Sequence, residues 1–387
     1  MSSRKVSIRL TRGGWVLLLL CALITAGAFN AALNMTYLLA SLLIAVFLVA
    51  VFTPLLSVRG LHCRRSVPEP PHAGESFEAR LWLDSTRRTT ARLIMVEQPL
   101  EAKQRARRNG VRRLALKIGS GDTVSLSCEL PPLPRGVHPL AGLRWSSRFP
   151  FGVSECTVKD SDDGEVVVYP ARGRLHSEMA AGLRPRGAQQ GVPTRFGLPG
   201  QEFRSVREYR PGDKPRRIHW RSSARLGTLH IREMERERTA PVMVILDSRV
   251  PADLPAERQA NAREVLEPAI SFAAETVRMA LEEGRGATVI GFFPEPTALS
   301  ITPGRDAMTT LNEALARLKP SPDGDLEVLR RTAEDAGIAA AWKVLGVSPI
   351  RETADTLRTA FRTVPFEMHI TEDPGFASVF TIQRPEA

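Results

Sequence analysis

The chain has 387 residues, of which 43% are apolar and 25% charged, and its formal net charge is +11. These proportions are typical of folded proteins, so they exclude a chain that is disordered throughout. The length predicts two or three domains, and the basic excess suits an anionic lipid surface, a nucleic acid or an acidic protein partner.

The first predicted elements are two membrane-spanning helices. Residues 13–58 contain no Asp, Glu, Lys, Arg or His, and about 20 residues are enough to cross the hydrocarbon core of a bilayer. We therefore predict a transmembrane hairpin with helices at about residues 14–29 and 35–56. A cleaved signal peptide, with Ala26-Gly27-Ala28 as its cleavage site, is the alternative, but it explains only the first half of the apolar run.

The segments on both sides of the hairpin are basic, and their positively charged residues are Arg4, Lys5, Arg9, Arg12, Arg59, Arg64 and Arg65. The turn between the two helices carries no charge. Because basic flanks stay in the cytoplasm, residues 1–12 are expected to form a basic cytoplasmic N-terminus. The sequence thus predicts a two-span protein of the cytoplasmic (inner) membrane, with its soluble region facing the cytoplasm.

Residues 60–172 are predicted to form an all-β, sandwich-like domain. Strands are expected at residues 77–83, 113–118, 124–130 and 166–169, separated by turns that contain glycine. Short strands at this spacing are typical of an antiparallel sandwich. The four cysteines of the chain show no CxxC spacing, which argues against a zinc site or a disulfide framework and fits a reducing compartment.

After a linker and an Arg-rich signature segment at residues 173–238, the pattern changes to alternating strands and helices. Strands are predicted at residues 242–246, 287–293, 342–347 and 367–370, and helices at residues 267–283, 305–318 and 353–364. Pro268 is expected in the first turn of the first of these helices. The alternation predicts an α/β doubly wound, mostly parallel sheet at residues 239–387.

The Arg-rich segment carries the most distinctive motif in the chain. It contains Arg207-Glu208-Tyr209, Pro211-Gly212-Asp213, Arg217-Ile218-His219-Trp220 and Ala224-Arg225. Ile218 and Trp220 alternate around His219, which predicts a short extended piece with one buried side. Two interpretations of the arginines remain open: salt bridges that hold two domains together, or a docking face for an acidic partner.

This motif resembles the signature of the domain of unknown function 58 family. The residues that the resemblance assigns to the signature and to partner binding are Arg207, Tyr209, Gly212, Asp213, Arg217, His219, Trp220, Arg221 and Arg225. The resemblance implies two amino-terminal spans, a β-rich region and a von Willebrand factor A-like domain. It also implies a protein without established catalytic activity, which works beside a MoxR-type AAA+ ATPase and accompanies transglutaminase-like membrane proteins.

A von Willebrand factor A-like domain raises the question of a metal site. In such domains the first strand ends in Asp-x-Ser-x-Ser, whose oxygens ligate a hard cation such as Mg²⁺. Here the corresponding residues are Asp247, Ser248 and Arg249, with Pro251 at the second hydroxyl position. We therefore expect a degenerate site with no metal and no cofactor. Either Arg249 takes the place of the cation beside Asp247, or Asp247 only buttresses the loop.

The sequence favours a non-catalytic, membrane-tethered protein-interaction module over an enzyme. It contains no Gly-x-x-x-x-Gly-Lys-Ser/Thr, His-Glu-x-x-His or Gly-x-Ser-x-Gly motif. The expected partners are the membrane, a MoxR-type AAA+ ATPase and a transglutaminase-like membrane protein. The alternatives are a basic surface that binds anionic lipid or nucleic acid, and an uncharacterised hydrolase. No specific nucleic acid is expected, because aromatic residues make up only 6% of the chain.

Overall fold

The structure is a computed structural model. It describes residues 5–31, 34–87, 90–99, 110–160, 164–183, 201–210, 218–236, 240–250, 262–293, 295–321 and 324–383. The chain divides into two compact units, the first built mainly from Met1–Arg172 and the second mainly from the residues that follow Arg172.

Two long apolar helices lie near the start of the first unit. Helix α1 (Arg12–Ala31) and helix α2 (Asn34–Val58) pack against each other. Both are long enough and apolar enough to cross a membrane. Their bounds lie within two residues of the predicted hairpin, because uncharged apolar runs of this length have few alternatives to a helix. Most of their large apolar side chains are exposed, so the described part of the chain does not cover them as it would the core helices of a soluble protein.

The β-rich part of the first unit has ten strands within the described residues. They are β1 (Lys5–Leu10), β2 (Leu61–Ser66), β3 (Phe77–Ser85), β4 (Ala91–Gln98), β5 (Val111–Ile118), β6 (Thr123–Leu130), β7 (Gly136–Leu140), β8 (Arg144–Ser147), β9 (Ser154–Lys159) and β10 (Gly164–Val168). They form antiparallel sheets with the orders β1-β9-β8-β4-β5, β2-β3-β6 and β10-β7. Ala79, Leu81 and Leu83 on β3 are fully buried and alternate with exposed Arg80 and Trp82, which is the pattern of a sheet with one face on a core.

Strand β1 was not predicted from the sequence. It pairs antiparallel with β9 along its whole length, from Lys5 opposite Lys159 to Leu10 opposite Ser154. Since β1 directly precedes α1 and β2 directly follows α2, both ends of the helical hairpin enter the same β-rich unit. A cleaved signal peptide would remove β1 together with α1, so that alternative does not account for the pairing.

The second unit is α/β. Its strands are β11 (Gly173–Leu175), β12 (Gln201–Glu208), β13 (His230–Arg236), β14 (Val242–Leu246), β15 (Ala287–Phe292), β16 (Pro296–Ile301), β17 (Lys343–Ser348), β18 (Glu367–Ile370) and β19 (Phe380–Ile382). Its helices are α3 (Ser177–Leu183), α4 (Trp220–Leu226), α5 (Ala262–Glu282), α6 (Ala307–Arg317), α7 (Leu326–Asp335) and α8 (Arg351–Ala360).

A five-stranded sheet with the order β16-β15-β14-β17-β18 forms the centre of the second unit. Its strands are parallel except β16, which runs antiparallel to β15. Met243 and Ile245 of β14 lie in one core cluster with Leu329 of α7 and Leu357 of α8. Helix α5 packs on β14, β15 and β17. Because every residue of β14 is buried, both faces of the sheet are covered.

Helix α5, strand β16 and helix α7 differ from the prediction. Helix α5 begins at Ala262, so Pro268 lies in its interior and not in its first turn. Strand β16 and helix α7 were not predicted. Their local patterns are weak: β16 is a mostly half-exposed edge strand, and α7 buries only Leu329 and Ala333.

Candidate functional site

The carboxyl ends of β14 and β17 meet at one edge of the central sheet. Strand order reverses at β14, since β15 lies on one side of it and β17 on the other. In α/β sheets, ligands bind outside the carboxyl ends of the strands at such a reversal. Asp247, Ser248 and Arg249 follow β14, and Ser348 ends β17; all four are buried.

Arg249 forms a two-point ion pair with Asp247. Its Nε donates to Asp247 Oδ1 and its Nη2 donates to Oδ2, each at 2.9 Å. The backbone N–H of Arg249 also donates to Oδ1 at 3.1 Å, and the Ser348 hydroxyl donates to Oδ2 at 3.1 Å. Arg249 is thus the positive charge beside Asp247, as the first of the two sequence alternatives proposed.

The guanidinium of Arg249 is anchored a second time. Its Nη2 donates to the backbone oxygen of Thr353 at 2.9 Å and to Thr356 Oγ1 at 3.1 Å, both on α8. Thr353 Oγ1 in turn lies 2.7 Å from Ser348 Oγ. Ser348, Thr353 and Thr356 were not predicted from the sequence to be members of this cluster. Together they fix the side chain of Arg249 and connect the loop after β14 to β17 and α8.

The donor set at this edge does not fit a divalent cation. Both carboxylate oxygens of Asp247 already accept two hydrogen bonds each, and the guanidinium of Arg249 would repel a second positive charge. Among the residues that the structure describes, no group of three or more His, Cys, Asp or Glu is placed to hold a metal ion. The hydroxyl of Ser248 is buried and makes no hydrogen bond to the described part of the chain.

A cavity of about 670 Å³ opens at the opposite edge of the sheet, at the amino ends of β17 and β18. Its charged lining residues are Lys343 and Glu367, whose side chains form an ion pair at 2.8 Å. The apolar side chains of Trp342 and Phe366 also line this cavity. The cavity therefore lies at the other end of the strands from Asp247 and shares no lining residue with the cluster around it.

The Arg-rich segment folds as a β-hairpin with a short helix inserted before its second strand. Strand β12 pairs antiparallel with β13, with Arg207 opposite Ile231. The backbone N–H of Tyr209 donates to the oxygen of Leu229 at 2.7 Å, and that of His219 donates to the oxygen of His230 at 2.8 Å. These two bonds bring Tyr209, just after β12, and His219, just before the helix, together at the start of β13.

His219 is the N-cap residue of α4. Its Nδ1 accepts a hydrogen bond from the backbone N–H of Ser222 at 3.2 Å, and its backbone oxygen accepts one from the Ser223 hydroxyl at 3.1 Å. Gly227 ends the helix in the left-handed conformation, with φ of 72°. Ser223 Oγ also accepts from the backbone N–H of His230 at 2.8 Å, so the helix is tied to β13. The ring of His219 therefore has a structural part in the fold.

Trp220 does not lie on an extended piece with a buried side, as the sequence suggested. It is the first residue of α4 and its side chain is 68% exposed. Leu226, Arg221 and Arg225 of the same helix are exposed as well. The helix was missed because His is an uncommon cap, but the Gly227 that follows seven helical residues is a signal that could have revealed it.

The structure describes only some of the signature residues. Gly212, Asp213 and Arg217 lie outside the described residues, and of Arg207 only the backbone is described. We define the α4 surface as Trp220, Arg221, Arg225 and Leu226, which are the large exposed side chains of the signature helix. The α4 surface and the Asp247–Arg249 cluster are the two candidate functional features of the second unit.

A known family matches the region that contains both of these features. The family model described as "Protein of unknown function DUF58" matches residues 205–350, which contain the α4 surface, the Asp247–Arg249 pair and all of β17. The chain is also similar to "Uncharacterized protein YeaD" of Bacillus subtilis (strain 168), with 24% identity over 182 residues. That alignment covers 47% of this chain and 42% of the relative, so the chain spans less than half the length of the curated relative that it matches.

Proposed function

We propose that the protein is a non-catalytic, membrane-tethered interaction module that works with a MoxR-type AAA+ ATPase in the assembly or activation of other proteins. The single observation that carries this proposal is the exposed Trp220, flanked by Arg221, within the region that the family model matches. The class of the partner comes from the resemblance to the domain of unknown function 58 family. The same resemblance suggests a transglutaminase-like membrane protein in the assembly.

The α4 surface has the composition of a protein-binding patch. Trp and Arg are enriched among the residues that dominate binding energy at interfaces. Covering the exposed two-thirds of the Trp220 side chain would remove about 140 Å² from water, worth about 3 kcal/mol. The positive charges of Arg221 and Arg225 favour an acidic partner.

The fold of the second unit supports a von Willebrand factor A-like domain. A central β14, an antiparallel edge strand β16 and helices on both faces of the sheet are consistent with that assignment. Such domains bind partners through a metal at the carboxyl edge of the sheet. Since Arg249 supplies the positive charge there, we propose that this edge is structural and that binding has moved to the α4 surface.

Helices α1 and α2 are the proposed tether. Their lengths suit two crossings, and the uncharged turn between them contrasts with basic residues on both flanks, which favours a cytoplasmic soluble region. The pairing of β1 with β9 supports an even number of crossings, because it requires the N-terminus and the β-rich part to share one side of the membrane. We propose the cytoplasmic (inner) membrane as the location.

The experiment is affinity isolation of the full chain from membranes dissolved in a mild detergent, followed by mass spectrometry. The wild type should recover a MoxR-type AAA+ ATPase, and Trp220→Ala and Arg221→Ala should reduce recovery at least tenfold. Leu116→Ala is the matched control, because Leu116 is equally exposed but lies on β5 of the first unit. Repeated absence of such an ATPase, or equal recovery with Trp220→Ala, would contradict the proposal.

A further inference from the structure

The loop between β8 and β9, residues 148–153, is fixed to the start of helix α1. The Thr11 hydroxyl donates to the backbone oxygen of Gly152 at 2.7 Å, and the Thr11 backbone N–H donates to the oxygen of Val153 at 3.0 Å. Gly14 allows the close approach, since a Cβ at that position would lie 2.1 Å from the Val153 oxygen. The loop is therefore held beside the first turn of α1.

The same region of the sheet is fixed to the end of helix α2. Pro54 has no backbone N–H, so the carbonyl of Ala50 lacks its usual donor within the helix. The hydroxyl of Ser154, which is fully buried on β9, lies 3.1 Å from the carbonyl oxygens of both Ala50 and Val51 and supplies the missing donor. The last two turns of α2 thus dock on the beginning of β9.

These contacts set the depth of the β8–β9 loop. Phe52 and Leu56 lie on the docked turns of α2, yet their side chains are exposed. If α2 crosses a membrane, these two side chains face lipid. The residues bonded to the same turns then lie at the boundary between the headgroups and the acyl chains. Phe151, three residues before Ser154, is 66% exposed at the tip of the loop.

We propose that the β8–β9 loop is an interfacial membrane contact, in which Phe151 inserts into the headgroup layer of the bilayer that holds α1 and α2. Exposed Trp15 on α1 is a second aromatic side chain near the same interface, and aromatic residues collect at this depth in membrane proteins. Exposed Arg12 and Arg59 lie at the ends of the two helices that adjoin β1 and β2, where they can meet the phosphates of anionic phospholipids.

This inference rests on the proposed membrane tether and extends it. Strand β2 begins at Leu61, immediately after α2 ends at Val58. Thr11, directly before α1, is bonded to the β8–β9 loop, and Ser154 is bonded to α2, so the β-rich part is held against the ends of both helices. Phe151 then adds a third attachment point outside the helices.

The test uses a fluorophore on the full chain. All four native cysteines are buried. Burial raises the pKa of the Cys63 thiol to about 12 and raises the pKa of Cys128 and Cys156 above the ordinary value, so these thiols are poor nucleophiles. A cysteine introduced by Phe151→Cys can therefore be labelled selectively with an environment-sensitive dye. The labelled protein is placed in nanodiscs of phosphatidylcholine and phosphatidylglycerol that carry doxyl quenchers at a chosen depth.

Two further positions serve as controls. Val6→Cys places the dye on β1, opposite Val158 and therefore at the end of β9 away from Ser154; the native Val6 side chain is 52% exposed. Leu39→Cys places it at an exposed position inside α2 and reports whether the helices are inserted.

A dye at position 151 should be quenched several-fold more than one at position 6 by doxyl groups near the headgroups. The dye at position 39 should be quenched by doxyl groups deep in the acyl chains. Equal quenching at 151 and 6, with strong quenching at 39, would overturn this inference alone. Absence of quenching at position 39 would overturn the membrane tether and the inference with it.

Discussion

Replacing Arg249 with methionine removes the guanidinium that neutralises buried Asp247 and keeps most of the side-chain volume. Asp247 has no exposed surface, so water cannot take over the role of the guanidinium. Two weaker donors remain on the carboxylate, the backbone N–H of residue 249 and the Ser348 hydroxyl, at 3.1 Å each. Removing one partner of a buried ion pair costs about 3–5 kcal/mol. We expect Arg249→Met to lower the free energy of opening of the central sheet by that amount.

The double variant Asp247→Asn, Arg249→Met separates the pair from its parts. It leaves no uncompensated charge, and the amide oxygen of asparagine can still accept the hydrogen bond from Ser348. Replacement of a whole buried pair is often neutral, so most of the lost stability should return. The coupling free energy of the double-mutant cycle should therefore exceed about 2 kcal/mol.

Hydrogen exchange of the full chain in nanodiscs measures this coupling at β14, the strand that Asp247 follows. The backbone amides of β14 are in the centre of the sheet, where the free energy of opening approaches that of global unfolding. Loss of stability in Arg249→Met that Asp247→Asn relieves would support the internal ion pair. Two single substitutions whose effects simply add would refute it, because Asp247 and Arg249 would then not depend on each other.

Four further predictions follow from individual contacts. Ser154→Ala should destabilise the docked end of α2 by about 1–3 kcal/mol, and by less when combined with Pro54→Ala, which restores a backbone donor; thermal unfolding in detergent compares the two. Gly14→Ala should lower the melting temperature because its Cβ would meet a backbone oxygen at 2.1 Å, whereas Gly13→Ala, whose Cβ would lie 3.8 Å from the Thr11 hydroxyl oxygen, should not. Burial lowers the pKa of His369 below its ordinary value of 6.5, so the unfolded chain binds the proton more tightly. Stability should be fully present above pH 6.5 and fall as the pH drops below it, and His369→Gln should flatten this dependence in unfolding curves measured across that range. Added Mg²⁺ should leave exchange at β14 unchanged, whereas a specific site at 100 times its dissociation constant would add about 2.7 kcal/mol.

The parts of the fold that could be predicted are those with strong local patterns. Helices α1 and α2 follow from a long run without charge, and β14 follows from five consecutive apolar residues. Strand β1 had no such signal, because Lys5–Leu10 is short, mostly exposed and pairs with a strand about 150 residues away. Pairing over that separation depends on the tertiary fold, and single-sequence patterns do not contain it.

The candidate site was predictable only where its residues are close together in the sequence. The pairing of Asp247 with Arg249 was one of two alternatives, because two residues apart after a strand is close enough for contact. Thr353 and Thr356, which anchor Arg249, come from a helix more than 100 residues later and were not identified. The exposure of Trp220 was also missed, since the sequence does not show which face of a short helix the rest of the chain covers.

Protease digestion of oriented membrane vesicles tests the central claim most directly. The account places both ends of the helical hairpin and the whole body of the chain on the cytoplasmic side. Protease added to sealed right-side-out vesicles should therefore leave the body intact, and the same protease should digest it in inside-out vesicles. Digestion in right-side-out vesicles, or full-length chain that stays in the supernatant after ultracentrifugation, would contradict the account.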